Sequence, residues 1–126
     1  MTQKTEGVQL QVTWGKCVSG RWCQLNKVDL SNELFNDVAG VYLIWRGSDA
    51  KTVYVGQGDI RNRLARRRDD PRIQAYSESV LYATWASVPA EQMDGVEVYL
   101  AEVCEPLVGE RWPEATPISV NPPGGD

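Results

Sequence analysis

The order of apolar and polar positions divides the chain near residue 40. Before it, Val8-Gln9-Leu10-Gln11-Val12 alternates with period two and predicts a strand. Gly20-Arg21-Trp22-Cys23 predicts a turn into a second short strand, and Asp29 to Phe35 a short helix capped by Asp29 or Ser31. From Gly40 the pattern sharpens. Val41 to Trp45 is apolar at every position, as a strand buried on both faces requires. Gly47, Ser48 and Asp49 are turn residues, and Thr52 to Val55 is a second β-rich run, so the two form an antiparallel hairpin. Gly56-Gln57-Gly58 breaks that strand, and Asp59 caps a helix from Ile60 to about Asp69 with Ile60 and Leu64 on one side. Pro71 closes it. Val80 to Ala86 is a third strand. A second helix opens at Asp94, with Val96, Leu100, Val103 and Leu107 as its core stripe, and ends near Glu105 before Pro106.

The expected fold is therefore α+β: a small three-stranded antiparallel sheet flanked by helices, in the order strand-strand-helix-strand-helix. Residues 40–109 form this core, residues 1–39 a β-rich N-terminal extension packed on it, and residues 110–126 a Pro- and Gly-rich C-terminal extension. At 126 residues the whole makes one domain.

Composition removes several chemistries. No apolar run is long enough to span a membrane, and residues 1–7 lack the apolar region of a secretory signal, so a cytoplasmic protein is expected. There is no His, which excludes Ser-His and Cys-His nucleophile systems and leaves the three cysteines short of a four-ligand zinc site. The cysteines are expected to be reduced, to bind no zinc, and, for Cys104, to sit in the core. A net charge of −4 argues against a nucleic-acid partner, but six arginines and only two acids lie between Arg61 and Arg72. That patch predicts a phosphate-binding helix.

Gly40-Val41-Tyr42 and Tyr54-Val55-Gly56, with eleven residues between the tyrosines, resemble the two half-motifs that name the GIY-YIG nuclease superfamily. Asp59-Ile60-Arg61-Asn62-Arg63-Leu64 is similar to that family's helix start, with Arg63 before Leu64. Glu97 followed by Leu100, and then Pro106, resembles its metal-binding segment. The resemblance runs from about Gly40 to Gly109. It implies a DNA endonuclease in which Tyr42 takes the proton of the attacking water, Tyr54 orients water or phosphate, Arg63 contacts the scissile phosphate, and Glu97 holds one Mg2+ or Mn2+. Gly40 and Gly56 would allow close backbone approach. Arg61, Arg63, Arg66, Arg67 and Arg68 would face the DNA backbone, and sequence specificity would be low or come from a homodimer or a partner protein.

Three departures qualify the match. Arg67 stands where many members carry His, Gly109 where many carry Asn, and Gln57 where some carry Lys. A guanidinium stays charged and cannot shuttle a proton. These departures support an alternative, a nucleic-acid-binding module of the same fold without turnover. A third reading, a protein-interaction domain, rests on the acidic total and on tryptophans such as Trp22 and Trp112. Taken singly, Tyr42 and Tyr54 are ordinary strand residues, Arg63 a solvated helix position, and Asp94 with Glu97 a helix-capping pair.

Overall fold

The computed structural model describes residues 9–17, 20–109 and 112–123. In chain order the elements are β1 (Cys23–Gln24), a 3-10 turn (Glu33–Phe35), β2 (Ala39–Arg46), β3 (Thr52–Asp59), α1 (Ile60–Arg68), α2 (Pro71–Gln74), β4 (Leu81–Ser87) and α3 (Ala90–Cys104). The strands form one antiparallel sheet in the order β1-β4-β2-β3. The fold is α+β, as expected, but with four strands rather than three. The fourth comes from the N-terminal extension, where Cys23 pairs with Ala83 and Gln24 with Tyr82.

The all-apolar run of β2 is buried on both faces and pairs on both edges. On one face Tyr42, Ile44, Ala83 and Trp85 pack with Ile60 and Leu64 of α1, Ile73 of α2, and Phe35. On the other, Val41, Leu43, Val55 and Ala86 pack with Val96 and Leu100 of α3, and with Trp14 and Val120, which are far apart in sequence. Helices thus cover both faces of the sheet. Among the described residues no helix is long and apolar enough to cross a membrane.

Several expectations are corrected. The predicted strand at residues 8–12 reduces, where described, to a single parallel bridge between Leu10 and Val120; Val8 lies outside the described residues. The short helix is one 3-10 turn capped by Asn32, whose side chain accepts from the Leu34 amide. Gly56-Gln57-Gly58 does not break β3, which runs on to Asp59. Asp59 does cap α1, accepting from the Asn62 amide. Pro71 opens α2 at its first position behind the cap Asp70, where a missing N–H costs nothing.

α3 starts one turn earlier than expected, at Ala90 after Pro89, with no side-chain cap. Asp94 and Glu97 are therefore interior helix residues and not a capping pair. Val103 and Leu107 are exposed; the buried face instead runs through Val96, Leu100 and Ala101, and Val108 supplies the core contact beyond the helix. Finally, Cys17 and Cys23 are joined in a disulfide, contrary to the expectation of reduced thiols. Cys104 is free and half-buried.

Candidate functional site

The site is organised by three consecutive residues on the edge strand β3. Tyr42 pairs with Gly56 and Gly40 with Gly58 across the hairpin, and a Cβ on Gly40 would stand 1.9 Å from the Ala86 carbonyl oxygen. The ring of Tyr42 lies across Gly56, so closely that a Cβ there would stand 2.4 Å from the phenolic oxygen. Gly58 has φ of +132°, a region open to glycine, and the Arg63 side chain fills the space where its Cβ would be. Between them Gln57 points to the other face. Its amide nitrogen donates to Glu97 Oε1 at 2.5 Å and to Asp94 Oδ1 at 2.8 Å. Residues 56–58 therefore touch Tyr42, Glu97 and Arg63 in turn.

Tyr54 completes the group. Its ring centre is 6.0 Å from that of Tyr42, and the guanidinium of Arg67 lies 4.9 Å over its face. Arg67 is in turn paired with Asp70 at 2.9 Å, with both side chains about nine-tenths buried.

Electrostatics separate the two candidate chemical groups. Tyr42 is 1% exposed. Burial pushes its phenol far above the ordinary tyrosine range; Arg67 and Arg63 pull it down, Tyr54 and Glu97 push it up, and burial wins. A phenol so placed stays neutral at physiological pH and can donate a hydrogen bond. Glu97 is 8% exposed, and burial raises its carboxyl pKa. The Gln57 hydrogen bond and Arg63 work against that rise, and the Asp94 charge adds to it.

The arginine patch divides by what each guanidinium holds. Arg61 donates to the carbonyls of Leu30 and Asn32 and to Asn36 Oδ1. Arg68 donates to the carbonyls of Leu25 and Val28. Both tie the N-terminal extension to α1, using the several donors of one fork to satisfy backbone that has no strand partner. Arg67 is committed to Asp70 and Tyr54. Arg63, beside Gly58, and Arg66, exposed on α1, are the members of the expected set not engaged in this way.

Sequence reasoning passed over Gln57 and Asp94. The spacing of Asp94 and Glu97 carried the signal, since helix residues three apart share a face, but placing the helix start at Asp94 concealed it. Comparison with known protein families, with curated proteins and with solved structures finds no match for this chain.

The close fit at Gly56 makes a direct prediction. Gly56→Ala puts a methyl group into the Tyr42 ring and should destabilise the fold by about 1–3 kcal/mol, the usual cost of overpacking. Urea denaturation reads this directly. An unchanged midpoint would mean that the ring does not lie across residue 56.

Proposed function

We propose that the chain is a metal-dependent DNA endonuclease of the GIY-YIG type. The observation that supports this reading is the convergence of Tyr42, Arg63 and Glu97 on Gly56-Gln57-Gly58, with Tyr54 alongside. Phosphodiester hydrolysis needs positive charge on the phosphate and groups that align a water. Arg63 offers a planar fork of donors suited to phosphate oxygens. Tyr54, half-buried beside Tyr42, would orient water or phosphate.

Among the described residues no three His, Cys, Asp or Glu side chains gather into a metal-binding group. The Glu97 and Asp94 carboxylates, already drawn to a single amide nitrogen, are hard oxygen donors that suit Mg2+ or Mn2+. These two would hold the ion, which when bound neutralises phosphate charge and acidifies water. Gln57 would have to release both carboxylates or turn its amide oxygen toward the ion. A cytoplasmic location belongs to the same proposal.

The assignment of Tyr42 changes within this proposal. A buried phenol with a raised pKa is a poor proton acceptor, so Tyr42 serves as a neutral, positioned hydroxyl. Tyr42→Phe should slow single-turnover cleavage by less than about tenfold and leave the pH profile unchanged, whereas removing a general base costs about 10²–10⁴. A loss in the larger range would restore Tyr42 as the base. The reading as a whole is tested by incubating the protein with supercoiled plasmid in Mg2+ or Mn2+, with EDTA as control. Nicking only with metal supports it; DNA binding without nicking supports the second reading, a module without turnover. That reading is favoured by one feature, the hold of Gln57 on both carboxylates.

A further inference from the structure

Away from this site, three aromatic rings form a half-buried ladder on the sheet. Trp45 stacks on Tyr82 with ring centres 5.7 Å apart and planes at 23°, and the edge of Trp22 meets Trp45 at 5.4 Å. Trp45 follows Val41 and Leu43 on the face that α3 covers, and Leu43, Cys104 and both tryptophans line a surface cavity of about 270 Å³. Trp22 and Tyr82 also border a second cavity, of about 340 Å³, beside Arg21. A group of half-buried rings that together line two surface cavities marks a contact surface.

The charge around them is one-sided. Lys16 Nζ stands 4.6 Å from the centre of the Trp22 ring, Arg21 lines the second cavity, and Lys51 is near enough to Cys104 to act on its thiol. No acidic residue is among the described residues lining either cavity, although the chain holds 17 of them. Aromatic faces with cations beside them, and no acid among the described residues lining the cavities, suit a ligand that is flat and carries phosphate.

We propose that this aromatic platform binds an unpaired nucleobase of a DNA strand. The proposal rests on the nuclease reading for its biological sense and adds the substrate class: DNA with a single-stranded segment. Every base has a face that can stack, so the platform needs no particular sequence. The spacing is suitable. Val41, which pairs with Gln57, is four residues before Trp45 on β2, or roughly 13 Å along a strand. A duplex strand rises about 3.4 Å per nucleotide and an unpaired one extends further, so no more than about four nucleotides cover that distance. A proline-rich peptide also uses aromatic walls, but has no need of the cations.

The test is fluorescence anisotropy of a labelled short oligothymidylate, run in EDTA so that nothing is cut, against a duplex of equal length and a proline-rich peptide. The single strand should bind more tightly than the duplex. Trp45→Ala should weaken single-strand binding about 5- to 150-fold, the worth of one stacked base, while Trp45→Phe keeps most of it. Arg21→Glu, an exposed change that spares the rings, should weaken it too, which guards against a misfolded Trp45→Ala. Equal affinity for duplex and single strand, indifference to Trp45→Ala in a folded protein, or saturation by the peptide in place of the oligonucleotide would overturn the proposal. Because the assay does not depend on cleavage, a protein that binds single strands through Trp45 yet never nicks plasmid would sink only the nuclease reading.

Discussion

Glu97→Gln is expected to abolish plasmid cleavage while leaving the protein as stable as the parent, or more so. The substitution keeps the size of the side chain and leaves an oxygen to accept from Gln57, so the packing of α3 on the sheet is preserved. It removes the charge that would hold a cation. Losing metal stabilisation worth several kcal/mol lowers the rate by about 10³-fold or more. Stability moves the other way because of the sign of the Glu97 shift. Burial raises its pKa above the unfolded value, so its contribution is fully present below the unfolded pKa and is lost as pH rises through the folded one. At neutral pH the ionised carboxylate is thus a burden on the fold, and glutamine relieves it. Thermal unfolding and single-turnover cleavage on the same preparation check both halves. Cleavage at the parental rate would remove Glu97 from the chemistry.

The second large effect concerns the support of Tyr54. Asp70→Asn should destabilise the protein by about 1.5–3 kcal/mol, the worth of hydrogen bonds to charged groups, since Arg67 would stay buried without its counter-ion. Arg67 Nε is already buried without a hydrogen-bond partner, so the guanidinium has little means of compensating. The Asp70 carboxyl is held below the ordinary range, first by its hydrogen bond to Arg72 and also by the Arg67 charge. Its contribution is accordingly present above the unfolded pKa of about 4 and is lost as pH falls through the lower folded value. Urea denaturation at neutral and acid pH should show parent and variant converging as the pH drops. A constant gap between them would place the effect elsewhere than in the ion pair.

The legible parts of the sequence were those where one residue pattern had one structural meaning. The unbroken apolar run of β2, the Asp59 cap and Leu64 on α1 each permitted a single arrangement, and the hairpin register then put Tyr42 opposite Gly56. The turn at Gly20 announced β1, but two residues carry no periodicity that assigns them to this sheet; pairing with β4 and the Leu25–Leu81 backbone hydrogen bond place it there. The start of α3 was obscured because Pro89 offers no capping side chain, and that error hid the partnership of Asp94 with Glu97. The arginines show the limit of counting charge. Arg61 and Arg66 are indistinguishable in a sequence, yet one guanidinium is spent on backbone carbonyls and the other faces water.

Val12 and Trp14 are clasped to Asn121. The Val12 amide donates to Asn121 Oδ1, Asn121 Nδ2 donates to the Val12 carbonyl, and the Trp14 indole donates to the Asn121 carbonyl. These partners are more than a hundred positions apart in sequence. During synthesis Val12 and Trp14 must wait for more than a hundred further residues before this clasp can close. Trp14 and Val120 belong to the core layer beneath α3, so that layer is completed only once Val120 has been made. The opposite layer, under α1 and α2, draws its members from residues 23 to 108 and can assemble first. The order of birth along the chain thus separates the two faces of the sheet in time.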